Sequence, residues 1–146
     1  MLKGIHPLLT PDLLRCLAAM GHGDEIAIVD ANFPARTLGT VVIDVAGASA
    51  PAVLAAVLTV LPLDTDTVPA AVTMQVIGVP DAVPEAVAEL VAVWSGHDHD
   101  RSQIGNLERL LFYERARRAA AIVRTGELRP YGNIILVKGV VTRHDA

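Results

Sequence analysis

The chain has a single cysteine, Cys16, among its 146 residues, which excludes an internal disulfide and any fold that depends on one. Aromatic residues amount to 3%, with one Trp, two Tyr and two Phe, so the apolar surplus comes from Ala, Val and Leu. Basic residues are not in excess. A net charge of −4 and a pI near 5.6 supply no general attraction to phosphate backbones or anionic membrane surfaces, and nucleic acid is not an expected partner. The longest nearly apolar run, Pro51 to Leu63, has 13 residues and is too short to cross a bilayer, so no membrane partner is expected either. No charged leader followed by an apolar core and a cleavage site opens the chain. A cytoplasmic enzyme fits these absences best.

What remains is strongly apolar for so short a chain. Hydrophobic residues make up 52% and mean hydropathy is +0.45. A domain of 15.4 kDa can bury a core of its own, and the surplus points to faces buried between subunits. One domain, 1–146, of α/β class is expected. Thr10 reads as an N-cap ahead of Pro11 and Asp12, with Leu13, Leu14, Leu17 and Met20 at helical spacing and Gly21 as the stop. Cys16 lies near that apolar face and reads as a small core residue, not a reactive thiol. Glu25 to Val29 and Val41 to Val45 read as strands. Ser49 caps a helix over 50–61, Ala71 to Ile77 reads as a strand, and Pro84 to Trp94 as a helix opened by proline. Helical character returns near 112–119, where Glu114 and Arg118 pair at i,i+4. Ala121 to Arg124 and Asn133 to Val141 close the chain as strands.

The chain is organised around Met20-Gly21-His22-Gly23-Asp24-Glu25-Ile26 and the strand that runs on to Asp30. Glycines on both sides of His22 permit positive φ and leave the imidazole unshielded. Asp30 leaves the strand at the edge where α/β sheets carry ligands, so the two groups are expected to face one pocket as an acid/base pair. Phe33, in the loop beyond, either walls that pocket or plugs the core. Ser95-Gly96-His97-Asp98-His99-Asp100 invites a metal reading, but alternating ligands in a loop lack the fixed spacing of a helical H-x-x-x-H, and a solvated loop is preferred. Arg115, Arg117 and Arg118 read as a solvated helix face. Arg109 stands apart, ahead of an apolar run. Its planar fork suits hydroxyls or a carboxylate, and an ordinary surface role is equally open. Tyr131-Gly132-Asn133 offers a phenol, a glycine and a carboxamide to a polyhydroxylated ligand; taken alone, a tight turn needing Gly and Asn explains it as well.

Several blocks together carry a resemblance. They are the Met1-Leu2-Lys3 opening, the Met20 to Ile26 turn, Asp30-Ala31 with Phe33-Pro34-Ala35, Phe112-Tyr113-Glu114-Arg115-Ala116, Thr125-Gly126-Glu127, and Tyr131-Gly132-Asn133-Ile134 with Lys138-Gly139-Val140. In this order, almost end to end, the chain resembles the RbsD/FucU family, and specifically its L-fucose mutarotase branch. Between about Val45 and Gln103 the match is to general α/β character alone, and the His-Asp-His-Asp loop is a departure from the family pattern. The resemblance implies a three-layer RbsD-like α/β fold and an enzyme that interconverts the α and β anomers of a free monosaccharide without metal or nucleotide. It implies His22 as the catalytic acid/base and Asp30, Arg109, Tyr131, Gly132 and Asn133 as sugar-binding positions. It also implies a homo-oligomer of rings stacked into decamers, with sites completed across subunit boundaries. The Phe-Tyr-Glu-Arg block favours a fucose-like sugar over the ribose of the pyranase branch.

The chemistry asks little of such a site. Anomerisation removes the proton of the anomeric hydroxyl while a proton reaches the ring oxygen, and reclosure on the other carbonyl face inverts the centre. One imidazole with an ordinary value of about 6.5 serves both directions near neutral pH. Two rivals stand beside this reading: a ribose-type pyranase that also changes ring size, and a non-catalytic sugar-binding protein on the same scaffold.

Overall fold

A computed structural model describes residues 2–66, 69–97 and 99–143; Met1 and Asp98, both weighed above, lie outside the described residues. Along the chain run α1 (Pro11–Ala19), β1 (Glu25–Val29), β2 (Val42–Val45), α2 (Ala50–Leu58), β3 (Ala71–Met74), α3 (Glu85–Gly96), β4 (Ile104–Leu107), α4 (Arg109–Arg117), β5 (Ala121–Thr125) and β6 (Ile134–Val137). The expected caps are in place. Thr10 Oγ1 accepts the Leu13 amide at 3.3 Å and Ser49 Oγ accepts the Ala52 amide at 3.4 Å, each followed by a proline whose missing N–H costs nothing in a first turn.

The strands form one sheet in the order β2-β5-β1-β6-β3-β4. β6 runs antiparallel between β1 and β3, while the other pairs are parallel. Helices cover both faces, which is why the central strands β1 and β6 read as nearly continuous apolar runs. The pleat divides them. Ile26 and Ile28 of β1, Val123 of β5 and Leu136 of β6 point into a core shared with α1, α2 and α3. Ala27, Val29, Ile122 and Ile135 point the other way, onto Phe112 and Ala116 of α4. The result is the expected three-layer α/β arrangement. Trp94 in the first layer and Phe112 in the second are fully buried, and truncating either to Ala costs about 3–5 kcal/mol in sites of this kind. Among the described residues, no helix is long and apolar enough to cross a membrane.

Several boundaries differ from the sequence reading. α2 ends at Leu58, β3 at Met74 and β6 at Val137, and α4 already begins at Arg109; Ile77, Val140 and Val141 beyond the shortened strands are exposed, since apolar character alone does not extend a strand past its pairing partner. β4 was not anticipated at all: four residues interrupted by Gly105 and Asn106 carry little strand propensity, and only pairing with β3 makes them a strand. Gly21 does not end α1 by turning left-handed. The helix stops at Ala19, and Lys138 Nζ donates to the carbonyls of Leu17 and Met20 at 2.8 and 2.6 Å, a cation placed on the negative end of the helix.

Where β5 ends, Gly126 lies so close to the chain before α2 that a Cβ there would stand 2.2 Å from the Ala46 carbonyl oxygen. Neither partner is a flexible side chain. Gly126→Ala is therefore expected to destabilise the fold by several kcal/mol, of the order of 3 or more for a backbone clash that cannot relax. Urea unfolding followed by circular dichroism checks this; an unchanged midpoint would refute the close approach.

Candidate active site

A cavity of ≈ 250 Å³ opens at the edge where β1, β3 and β4 end and β6 begins. Carboxyl ends of strands are where α/β sheets carry ligands, because the chain there turns away and leaves a crevice. Into it converge Asp30 from the end of β1, Arg109 from the start of α4, and Tyr131 and Asn133 from the turn before β6. Residues separated by a hundred positions in the chain thus share one small space, and four of the expected sugar-binding positions are among them.

Asp30 and Asn133 are joined in a closed pair. The Asp30 amide donates to Asn133 Oδ1 at 2.9 Å, and Asn133 Nδ2 donates back to Asp30 Oδ2 at 3.0 Å. Asp30 Oδ1 accepts the Asn32 amide at 2.9 Å. Each carboxylate oxygen keeps a further lone pair for a hydroxyl donor. Burial pushes the Asp30 carboxyl above its ordinary range, against the pull of the Asn32 and Asn133 hydrogen bonds. Asn133 is 2% exposed, so its first task is to hold Asp30, a role its position in a turn does not reveal.

The turn itself differs from its sequence reading. Tyr131, not Gly132, takes the left-handed conformation, at φ 63°, a backbone state that costs a side-chain-bearing residue roughly 1–2 kcal/mol. Gly132 is buried and is needed for space, since a Cβ there would stand 2.7 Å from Glu127 Cγ. It does not line the cavity. The left-handed turn aims the Tyr131 phenol back across the site, where Oη accepts the Ile77 amide at 3.3 Å and keeps its own proton as a donor.

Arg109 is the first residue of α4, and Glu108 caps that helix by accepting the Leu110 and Leu111 amides at 2.8 and 3.3 Å. Its Nε is buried and has no hydrogen-bond partner among the described residues. An unmet buried donor costs about 1–3 kcal/mol, more when charged, so this fork is poised for an acceptor and is not an ordinary surface arginine. Phe33 resolves both ways: 5% exposed, it packs edge-on against Phe112 and Tyr113 at 6.0 and 5.2 Å, and it also walls the cavity.

His22 is elsewhere. It lies ahead of β1 while Asp30 follows it, and the five residues between, at roughly 3.3 Å each, put about 17 Å of strand between the two turns. The expectation that both face one pocket within a chain is corrected: adjacency in sequence across a strand means opposite ends of the sheet. His22 is exposed as expected, its side chain 61% accessible, and Nε2 stands 3.3 Å from Oδ2 of Asp64, which is buried. Of the flanking glycines only Gly23 uses a positive φ, at 82°. The Gly21 amide donates to Asp24 Oδ2 at 2.7 Å, and the Gly23 amide to the Lys138 carbonyl at 2.8 Å.

Comparison with known proteins sets this geometry in context. A model of the RbsD / FucU transport protein family matches residues 3–141. The chain belongs to the RbsD/FucU family. The fucose mutarotase of Danio rerio is 42% identical over 152 residues, covering 97% of this chain and 95% of the relative. Among solved structures, the fucose mutarotase from Streptococcus pneumoniae in complex with L-fucose superposes with a TM-score of 0.91 at 40% identity, covering 97% of this chain and all of that one, 100%. Bacillus subtilis RbsD complexed with D-ribose is more distant, with a TM-score of 0.74, 27% identity and coverage of 97% and 100%.

In this RbsD/FucU protein two participants escaped the sequence reading. Asp64 sits in the Leu-Pro-Leu-Asp run, and nothing local announces that Gly139 lets the run approach so closely that a Cβ there would meet the Leu63 carbonyl at 2.3 Å. In the sequence Tyr113 stands out only as part of a block, yet it lines the cavity beside Arg109. Arg115, read as solvated, instead forms a forked pair with Glu25, its Nε 2.9 and 3.0 Å from the two oxygens, tying α4 to β1. Glu114 pairs with Arg118 at 3.7 Å as expected. In the loop after α3, His97 Nδ1 donates to the Val93 carbonyl at 2.9 Å, His99 packs on Trp94 at 5.0 Å, and Asp100 accepts the Ser102 amide at 2.8 Å. Those contacts stay within their own segment.

Proposed function

We propose that this protein is an L-fucose mutarotase, an isomerase that interconverts the α and β anomers of the free sugar by general acid/base ring opening and reclosure. The observation that carries this is the convergence of a hydrogen-bonded carboxylate, a phenol and an arginine with an unmet buried donor on one cavity of monosaccharide scale, in a chain about 40% identical to fucose mutarotases over nearly its whole length. Asp30 accepts hydrogen bonds from sugar hydroxyls, Arg109 and Tyr131 donate to sugar oxygens, and Asn133 and Gly132 hold the turn that presents them. Phe33 and Met74 offer an apolar wall suited to carbon-bound hydrogens of the ring. His22 moves the proton, and Asp64 holds the imidazole by accepting from Nε2.

Because His22 and the cavity occupy opposite ends of the sheet, the reading requires a second copy of the chain. The His22 end of one protomer meets the cavity end of a neighbour, a contact between unlike surfaces of the kind that closes rings. Exposed apolar side chains support such contact: Ile77 at the cavity is 60% exposed, and Leu111, beside Gly23 and Glu25 at the other end, 58%. A decameric assembly and a cytoplasmic setting belong to the same proposal.

The decisive measurement is NMR saturation transfer between the anomers of L-fucose with purified protein, alongside D-ribose. Accelerated α/β exchange of L-fucose at protein concentrations that leave D-ribose ring size exchange near its spontaneous rate is expected. Faster pyranose–furanose exchange of D-ribose would replace the proposal with a pyranase, and saturable L-fucose binding without acceleration would replace it with a binding protein.

A further inference from the structure

Behind the sugar-binding turn lies an ion pair between a buried carboxylate and a half-buried guanidinium that takes no part in proton transfer. Glu127 is 4% exposed. Arg129 donates Nε to Glu127 Oε1 at 2.8 Å and Nη2 to Oε2 at 2.9 Å, a parallel fork, and its backbone amide donates to Oε1 at 3.0 Å. The same guanidinium reaches α3, where Nη1 is 3.2 Å from Glu85 Oε1 and Nη2 is 2.7 Å from Glu89 Oε2. On its far side the Glu127 carboxylate faces the amide of Ala50, the first residue of α2, which helps to hold it charged. The Glu127 carbonyl accepts the amide of Ala31, directly after Asp30, at 2.9 Å. Two helices, the exit of β1 and the turn before β6 therefore meet on one salt bridge.

The turn needs such a brace. Tyr131 is held left-handed at φ 63°, a state its own side chain disfavours, so the surroundings must impose it. Gly132 rests on Glu127 Cγ with no room for even a methyl group. Asn133, the next residue, carries both hydrogen bonds that hold Asp30. A shift of Glu127 is thereby passed through two residues to the carboxylate that grips the sugar.

We propose that Glu127 and Arg129 are positioning residues: their fork sets the Tyr131–Asn133 turn and, through Asn133, places Asp30 for the sugar. The inference rests on the mutarotase reading of the cavity. It has an electrostatic signature that packing alone lacks. Arg129 holds the Glu127 carboxyl down to about 2, so Glu127 is charged and, after burial itself, helps to push Asp30 up. The other titratable groups that line the cavity with Asp30 are Arg109, Tyr113 and Tyr131, and they are common to every variant. Removing Arg129 leaves the Glu127 charge uncompensated and raises Asp30 further. Neutralising Glu127 removes the repulsion, leaves a guanidinium behind, and lowers Asp30.

The experiment compares wild type, Arg129→Gln, Glu127→Gln and Arg129→Lys. Asp30 titration is followed by carboxyl 13C NMR, and L-fucose exchange by saturation transfer, with thermal unfolding of each variant as the check on folding. Opposite displacements of the Asp30 midpoint are expected, upward in Arg129→Gln and downward in Glu127→Gln. KM for L-fucose should rise by about tenfold, the scale of one weakened hydrogen bond to a charged group, with kcat less affected because His22 is on another element. Arg129→Lys restores the midpoint and part of KM. Displacements in the same direction, an unmoved midpoint, or an unmoved KM in folded variants would overturn the inference. The carboxyl titration does not depend on turnover, so a wild-type protein inactive on L-fucose would defeat the mutarotase reading while the titration still decided whether the pair governs Asp30.

Discussion

His22→Gln is expected to abolish the accelerated exchange of L-fucose anomers, a loss of roughly 10²–10⁴-fold, the usual contribution of a positioned acid/base group, while the protein stays folded. The side chain is 61% exposed and stands 3.3 Å from the Asp64 carboxylate, so glutamine removes the proton-transferring imidazole without opening the core. The local turn does not depend on the ring. It is held by the Gly21 amide on Asp24 and the Gly23 amide on the Lys138 carbonyl. Sugar affinity should change little, since Asp30, Arg109 and Tyr131 remain. Saturation transfer measured beside a thermal melt decides the matter. A folded variant that exchanges anomers at the wild-type rate removes His22 from the mechanism.

The second large effect concerns where the two halves of the site come from. His22→Gln and Asp30→Ala are each expected to be inactive alone, and mixing them under conditions that allow subunits to exchange should restore activity. If each site takes its imidazole from one copy and its cavity from the next, random assembly of equal amounts rebuilds about a quarter of the sites with both groups intact, as the combinatorics of an interface between unlike surfaces requires. Were both groups drawn from one chain, mixing would recover nothing. The observation behind this is the roughly 17 Å of β1 between the two turns, which no side-chain rotation can span. Native mass spectrometry of the mixture confirms that subunits have exchanged, so that an inactive mixture of exchanged oligomers rules out the shared site.

The legible parts of this protein are the ones governed by local chemistry. A threonine or serine just ahead of a first-turn proline favours a helix start by local chemistry, and α1 and α2 begin where Thr10 and Ser49 place them. Apolar runs between turn residues gave β1, β2 and β5 almost to the residue. β4 was illegible because Gly105 and Asn106 favour no strand; a partner on one side makes it one. The candidate site divides in the same way. Asp30, Arg109, Tyr131 and Asn133 stand out as polar groups in an apolar chain, but that Asn133 binds Asp30 before it binds anything else follows from a pairing across 103 positions. The Thr125-Gly126-Glu127 run was visible as a block without any hint that its carboxylate meets Arg129 and two helices.

By itself the amino-acid order determined which groups are available, an unshielded imidazole, a carboxylate at a strand end, a carboxamide and a phenol in a turn, because each is set by neighbours within a few bonds. Only the tertiary structure decided which of these groups meet. A strand is a rigid spacer, so His22 and Asp30 are held apart while Asp30 and Asn133 are brought together where β1 and β6 run antiparallel, and distance in space is the one quantity that distance along the chain does not contain.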